Sequence, residues 1–365
     1  MNSRQPLPTI DAAGYAAIEQ RFAHLLSAPS LFVLQGEAMI PLEAVARSIG
    51  RPGSRALNIV TGPYGEGFGH WLAEQGVVVE NLRVPFNRAV RVEEVEKALD
   101  GRNFDVVSVV HSEAATGATN PLQRIAALAR RAGAISIVDA VASVGADPLE
   151  IEAWALDVTI VSAQKALGGP AGVTGVAVSD AGWAAIAANP TAPRNSVLSL
   201  LDWREQWLTS EHDALPSIPN HLEMLALGET LDSVNAEGLA NVVARHEAAR
   251  DATRRGVRAL GLEVWVENDD DAAAVATTVT VPQGVAVSDL VAAARAAVTS
   301  GPVPIVGPAP GSLSEQALRI GHTGLRATAE DVLVAVEALG LGLQSLGINC
   351  DLGEATKATV ARASS

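Results

Sequence analysis

The 365-residue chain contains a single cysteine, Cys350, and therefore cannot form a disulfide within itself. This scarcity is typical of proteins from a reducing compartment, and we expect a cytoplasmic protein. A catalytic thiol is disfavoured because no histidine-containing motif accompanies Cys350. Long apolar runs are also lacking. No stretch reaches the ~18 apolar residues of a membrane-spanning helix, and no secretory signal is recognisable at the N-terminus.

Basic residues are also few in this sequence. The chain has 26 Lys and Arg residues against 41 Asp and Glu residues, which gives a formal net charge of −15. Such a surface repels polyanions, so we expect neither nucleic acid nor an anionic membrane as a partner. A small anionic substrate stays compatible with the sequence, because one local arginine can outweigh the overall field.

The residues that are present favour a packed α/β fold. Hydrophobic residues make up 48% of the chain and aromatic residues only 4%. Short runs rich in Val and Ile alternate with segments of helical periodicity, which predicts a mostly parallel sheet covered by helices. The predicted strands are 31–34, 56–60, 105–111, 134–140, 157–163 and 172–178. The helices predicted between them are 38–49, 66–75, 91–99 and 121–132.

The chain is predicted to divide into four parts. They are an N-terminal arm and helix (1–24), a large α/β domain (25–235), a small C-terminal α+β domain (236–350) and a fraying tail (351–365). Residues 188–220 contain four prolines and interrupt the alternation, so we expect an irregular crossing. Beyond it we predict a long helix over 221–258. The small domain is predicted to contain strands 262–267, 274–281 and 317–322 and helices 287–298 and 328–346.

Two residues at predicted strand ends suggest a specific chemistry. Asp139 ends one strand and Lys165 follows the next, 26 residues later. A partly desolvated lysine amine attacks an aldehyde, and a carboxylate can keep a pyridine nitrogen protonated. Taken singly, the aspartate is most often a turn residue and the lysine a solvated loop residue. At the carboxyl ends of neighbouring strands, where ligands bind in such sheets, the pair indicates pyridoxal chemistry.

The order of the motifs resembles the class V aminotransferases of the fold-type I pyridoxal-phosphate enzymes. The motifs are His111 and Glu113 before Thr116-Gly117 and Asn120-Pro121, then Val-Asp-Ala-Val at 138–141, then Gln164-Lys165 before a Gly/Pro-rich turn. The resemblance extends from about residue 28 to about residue 346. It implies an aminotransferase of small-molecule amines and 2-oxo acids, assembled as a homodimer or a dimer of dimers, with no metal.

The resemblance also implies a role for particular residues. Lys165 is the catalytic residue, which forms the Schiff base and moves the proton. Asp139 pairs with the pyridine nitrogen, Tyr64 stacks on the ring, and Arg319 binds the substrate carboxylate in a bidentate pair. The remaining coenzyme contacts that it implies are Glu37, Ala38, Thr116, Val141 and Gln164.

Three strings resemble a branch of this family that uses free pyridoxamine as a substrate, with pyruvate as the acceptor. They are residues 35–38, 61–69 and 192–203. Glu37 lies in the turn where other members hold the coenzyme phosphate at a helix N-terminus, and a carboxylate there would repel a phosphate. Leu215 replaces a threonine that usually reaches the phosphate. The plainer interpretation is that Glu37 serves the helix dipole and points to solvent.

These observations leave three functions open. In the first, pyridoxamine and pyruvate give pyridoxal and L-alanine, and pyridoxal or pyridoxamine is a substrate at Lys165. In the second, pyridoxal 5'-phosphate is a bound cofactor, and alanine or serine reacts with glyoxylate or pyruvate. In the third, a degenerate transaminase fold only binds a ligand or a partner. The retained Lys165, Asp139 and Arg319 disfavour this last function.

Overall fold

The structure is a computed structural model that describes residues 7–299 and 303–361. Its strands within these ranges are β1 (Leu31–Gln35), β2 (Arg55–Val60), β3 (Val78–Arg83), β4 (Val106–Val110), β5 (Ser112–Glu113), β6 (Ala118–Thr119), β7 (Ile135–Asp139), β8 (Val158–Val161), β9 (Val173–Val178), β10 (Thr277–Thr280), β11 (Val306–Pro308) and β12 (Ala317–Ile320). Seven of these strands form one sheet in the order β1-β9-β8-β7-β4-β2-β3.

The seven-stranded sheet is mostly parallel, as predicted. Strands β3, β2, β4, β7 and β8 run parallel to one another, β9 is antiparallel to β8, and β1 is antiparallel to β9. Every residue of β4, β8 and β9 is buried. Helices on both faces explain why these strands are apolar throughout instead of alternating. The strands β5 and β6 form a short separate hairpin.

The described residues form twelve α-helices, and those in the first two thirds of the chain alternate with the strands. They are α1 (Ala12–Leu25), α2 (Met39–Ile49), α3 (Pro63–Glu74), α4 (Val92–Leu99), α5 (Leu122–Arg131), α6 (Asp180–Ala187), α7 (Leu200–Trp203), α8 (His221–Glu237), α9 (Leu239–Ala259), α10 (Val287–Ala297), α11 (Ala329–Ser345) and α12 (Leu352–Val360). In the part of the chain that the structure describes, no helix is both long and apolar enough to cross a membrane.

A second hydrophobic core lies in the C-terminal third. Its antiparallel sheet has the order β10-β12-β11, and helices α9, α10, α11 and α12 pack together beside it. Leu318 and Ile320 of β12 are fully buried in this core, whereas Arg319 between them faces the other way. The strict alternation along β12 therefore carries the arginine out of the core and towards the large sheet.

Two predictions for the C-terminal third are wrong. The helix predicted over 221–258 is two helices, because Gly238 between them has φ +86°, which no continuous α-helix allows. The predicted fraying of the tail is also wrong within the described residues. Asp351 caps α12 by accepting the Glu354 N–H at 2.9 Å, and Thr359 is buried. Residues 362–365 lie outside the described residues.

Two further elements differ from the prediction. The segment 262–267 is not a strand and makes only a single bridge, between Val264 and Val279. Conversely, strand β3 was not predicted, because its sequence is half polar and it lies at an exposed sheet edge. The irregular crossing at 188–220 contains only the short helix α7 and a π-helical turn over Arg204–Leu208. Residues 1–6 of the predicted arm lie outside the described residues.

Candidate active site

A cavity of about 170 Å³ lies at the carboxyl edge of the large sheet. The parallel strands β4, β7 and β8 end side by side there, so residues distant in sequence meet at one edge. Of the nine residues predicted for the site, seven line this cavity: Glu37, Ala38, Tyr64, Asp139, Val141, Gln164 and Lys165. Thr116 and Arg319 are not among its lining residues and lie beside it.

Lys165 is presented by a tight turn four residues beyond the end of β8. The Gly168 N–H closes this turn by donating to the Lys165 carbonyl at 3.0 Å. Lys165 Nζ lies 5.3 Å from the centroid of the Tyr64 ring. Burial is the main cause that lowers the lysine pKa, although Asp139 opposes it. A lowered pKa leaves a larger share of free amine at neutral pH, which is what a nucleophilic lysine requires.

Asp139 is the last residue of β7 and its carboxyl group reaches the cavity. Burial raises its pKa, while the Val141 N–H, which donates to Oδ1 at 3.0 Å, and Lys165 lower it. An enclosed carboxylate of this kind gains most from a cationic N–H partner. The Asp139 carboxyl is therefore suited to a protonated ring nitrogen.

The position of Tyr64 depends on Glu113, to which the sequence analysis assigned no role. Glu113 is completely buried and accepts the N–H groups of Tyr64 at 3.2 Å and Gly65 at 3.3 Å, in the first turn of α3. A Cβ atom at Gly62 would lie 2.1 Å from Glu113 Cγ, so only glycine allows this approach. Burial raises the Glu113 pKa to about 8. An acidic residue in an otherwise apolar stretch after a strand was the available signal.

Glu37 caps the N-terminus of α2 and also contacts the opposite side of the cavity. Its Oε2 accepts the Met39 N–H at 2.9 Å, and its Oε1 accepts the Gln164 amide N–H at 2.7 Å. Gln164 Oε1 is buried and has no hydrogen-bond partner among the described residues. The interpretation that Glu37 only serves the helix end is thus incomplete, because its second oxygen orients a cavity residue.

The side chains of Thr116 and Arg319 lie beside the cavity and form hydrogen bonds with backbone groups next to it. The Thr116 hydroxyl is buried in the β5–β6 turn, where it donates to the Glu113 carbonyl at 3.4 Å and accepts the Ala118 N–H at 3.3 Å. Arg319 Nη1 donates to the carbonyl of Ala114, a lining residue, at 3.3 Å. Within the described part of the chain this is the only hydrogen bond of the Arg319 side chain, so its other guanidinium N–H groups remain free for a carboxylate.

The cavity is lined by groups that suit a pyridine ring with polar substituents. The Asp139 carboxyl, the Lys165 amine and the Tyr64 ring line it together, and Gln164 Oε1 is a buried acceptor without a hydrogen-bond partner among the described residues. A phosphate would need cations or free N–H groups at a helix N-terminus. At α2 that position is already occupied by the Glu37 carboxylate.

The family model described as "Aminotransferase class-V" matches residues 11–332. The chain belongs to the class V aminotransferase family. This membership confirms the prediction of an aminotransferase, which rested on the order of the strand-end motifs.

Individual members of this family show more detailed similarity. The pyridoxamine–pyruvate transaminase of Mesorhizobium japonicum is 36% identical over 330 residues, covering 90% of this chain and 82% of that protein. The alanine–glyoxylate aminotransferase of Drosophila melanogaster is 29% identical over 328 residues, with 88% and 82% covered. The predicted resemblance to the pyridoxamine-using branch of class V is thus confirmed.

Solved structures of other aminotransferases confirm the predicted fold-type I architecture. The crystal structure of pyridoxamine–pyruvate aminotransferase from Mesorhizobium loti has a TM-score of 0.91 and 34% identity, and 98% of this chain and 91% of that chain are covered. The ureidoglycine–glyoxylate aminotransferase of Bacillus subtilis has a TM-score of 0.86 at 23% identity, with 97% and 92% covered. The latter similarity concerns the fold alone.

Proposed function

We propose that this aminotransferase transfers the amino group of pyridoxamine to pyruvate, yielding pyridoxal and L-alanine. The observation that carries the proposal is the pair of hydrogen bonds made by Glu37, to the Met39 N–H and to Gln164. By the family resemblance this turn holds the coenzyme phosphate, and a carboxylate fixed there would repel it, which supports a ligand without phosphate. The similarity to pyridoxamine–pyruvate transaminases supports the same substrate pair.

In this proposal each residue of the site has a distinct task. Lys165 Nζ moves the proton between the amine-bearing carbon of pyridoxamine and the carbon that becomes Cα of alanine. Asp139 keeps the pyridine nitrogen protonated, and the protonated ring supplies the electron sink. The Tyr64 ring covers one face of the pyridine. Arg319 binds the pyruvate carboxylate through the N–H groups that Ala114 leaves free.

The substituents of the pyridoxamine ring would meet Glu37 and Gln164. The 5'-hydroxymethyl group can donate its hydrogen to Gln164 Oε1, the buried acceptor without a partner in the described residues. Glu37 holds the Gln164 amide in this orientation by accepting its N–H. The two residues thus select a neutral hydroxymethyl arm over a charged phosphate arm.

A second candidate is a conventional aminotransferase with bound pyridoxal 5'-phosphate that acts on alanine or serine and on glyoxylate or pyruvate. Similarity to alanine–glyoxylate aminotransferases favours it. The deciding experiment measures coenzyme phosphate released on denaturation of the purified protein, and activity with pyridoxamine plus pyruvate. Absence of bound phosphate with turnover of pyridoxamine supports the first function. Stoichiometric pyridoxal 5'-phosphate without pyridoxamine turnover would refute it.

Replacement of Glu37 tests the selection against phosphate. In Glu37→Gln the side chain keeps its size but loses its charge, so the preference for pyridoxamine over pyridoxamine 5'-phosphate should fall at least about tenfold. The measurement is the ratio of kcat/KM for the two amines. Glu43→Gln is the matched control, because Glu43 lies on the same helix and is paired with Arg47. An unchanged ratio in Glu37→Gln would contradict the role of Glu37.

Replacement of Arg319 tests the binding of the keto acid. Arg319→Gln should raise KM for pyruvate about ten- to a hundredfold and leave KM for pyridoxamine within about threefold, because only the charge-assisted contact to the carboxylate is lost. Steady-state kinetics with each substrate varied separately give both constants. Arg131→Gln, an exposed arginine of α5, serves as the control. Equal increases in both KM values would argue against a carboxylate-binding role.

Assembly and location form the rest of the proposal. A homodimer or a dimer of dimers is supported by Met39 and Ile40, large apolar residues that are exposed at the start of α2 although Met39 lines the cavity. Burial of such a patch against a second copy would stabilise both chains. Light scattering on the purified protein gives the assembly size. A cytoplasmic location is in keeping with the single cysteine.

A further inference from the structure

The segment 321–325, which follows β12, packs directly on the backbone of the Lys165 turn. Gly324 has φ +61°, and a Cβ atom there would lie 2.8 Å from the Lys165 carbonyl oxygen and 3.2 Å from Gly168 Cα. A Cβ atom at Gly168 would in turn lie 3.3 Å from Leu325 Cγ. The two backbones are therefore in contact with no room for a side chain between them. The backbone of the turn that carries the reactive lysine thus packs against the C-terminal third of the chain.

Two neighbouring side chains of α9 hold Gly324 in this contact. The Gly324 N–H donates to His246 Nε2 at 3.1 Å, and Arg245 Nη1 donates to the Gly324 carbonyl at 2.6 Å. Arg245 is itself fixed by Glu237, whose Oε1 accepts the Arg245 Nε–H at 2.7 Å. Both backbone polar groups of Gly324 are thus bound to one helix, which leaves the segment little freedom to move away from Lys165.

The protonation state of His246 is determined by its surroundings. Its Nδ1 lies 2.7 Å from the Val242 carbonyl and must donate to it, so Nε2 is the unprotonated nitrogen that accepts from Gly324. The imidazole is completely buried, and this burial lowers its pKa to about 4. His246 is therefore neutral at physiological pH, as its acceptor role requires.

We propose that His246 is a positioning residue for Lys165. It does not touch the reacting atoms, but through Gly324 it fixes the turn that carries Lys165 and so sets where Nζ lies relative to Asp139 and the Tyr64 ring. The inference rests on the role of Lys165 proposed above. Arg319 in β12 and Gly324, five residues later, therefore lie in one stretch of chain beside the cavity.

His246→Leu and His246→Gln test this inference as a pair. Leucine removes the acceptor, whereas the Gln amide oxygen can take the place of Nε2. With His246→Leu, kcat should fall about ten- to a hundredfold while KM for pyridoxamine stays within about threefold, because small misplacement of a reacting group is costly. His246→Gln should recover most of the loss. His246→Leu removes a buried polar group and could therefore prevent folding. In that case Arg245→Gln tests the same support of Gly324, because Arg245 donates to the Gly324 carbonyl.

Two readouts do not depend on turnover. Reduction with borohydride in the presence of pyridoxal should label Lys165 at least about tenfold more slowly in His246→Leu, while Lys97 and Lys357, both exposed, serve as internal references in the same protein. Hydrogen exchange should show reduced protection of the Gly168 N–H, which closes the lysine turn. Arg245→Gln should shift both readouts in the same direction by a smaller factor.

The outcomes separate this inference from the proposed function. The positioning role would be overturned if His246→Leu and Arg245→Gln both kept the wild-type kcat and the wild-type rates of Lys165 labelling and Gly168 exchange. A loss in His246→Leu that His246→Gln does not recover would overturn it too, because the acceptor would then be irrelevant. Absence of Lys165 labelling in the unaltered protein refutes the proposed function instead, and Gly168 exchange in His246→Leu still decides the inference.

Discussion

Replacement of Lys165 by alanine should lower the rate of amino transfer from pyridoxamine to pyruvate by at least about a thousandfold. The amine is the only basic side chain that lines the cavity among the described residues, and burial lowers its pKa, which increases the share of free amine. No nearby group could replace it, because Asp139 and Glu113 have no amine to condense with an aldehyde and their carboxyl groups already accept backbone N–H groups. Single-turnover kinetics with saturating pyridoxamine measure the loss.

The chain offers convenient controls for this variant because it contains only three lysines. Lys357→Ala changes an exposed residue of α12 and should retain the wild-type rate. Borohydride reduction with pyridoxal near pH 7 should label Lys165 in preference to the exposed Lys97 and Lys357, since burial lowers the Lys165 pKa and the cavity holds the aldehyde beside it. A Lys165→Ala protein that still transfers amino groups at more than about a tenth of the wild-type rate would disprove its assigned role.

Asp139→Asn should lower kcat by about a hundred- to a thousandfold, with a smaller change in KM for pyridoxamine. The amide keeps the shape of the side chain and its contact with the Val141 N–H, but it cannot hold a protonated pyridine nitrogen. The charge of Asp139 also raises the Lys165 pKa against the effect of burial. Its removal should therefore shift the acidic limb of the kcat profile to lower pH.

The pH profile distinguishes this electrostatic role from a structural one. A variant that merely loosened the end of β7 would lose activity without moving the acidic limb, and its unfolding temperature would fall. Asp180→Asn, an exposed position in the first turn of α6, is expected to leave both kcat and the profile unchanged. A wild-type profile combined with near-wild-type kcat in Asp139→Asn would remove Asp139 from the mechanism.

Much of the site could be predicted because its residues follow strands. Asp139 and Lys165 come after apolar runs, and parallel strands that are neighbours in a sheet must end at the same edge. Tyr64 follows β2 in the same way. The periodicity and composition of short segments thus predicted the α/β class and the sheet edge at which Asp139 and Lys165 meet.

Contacts between distant segments were decided only by the tertiary structure. Glu37 and Gln164 are 127 residues apart and His246 and Gly324 are 78 apart, and no periodicity relates such positions. Gly238 separates two helices because its φ is positive, and a hydrophobic pattern does not predict the φ of a single residue. The sequence by itself determined which chemical groups are available and which secondary-structure elements carry them. The packing of two hydrophobic cores determined which groups meet, because approach across elements depends on strand order and on the space that glycines leave open.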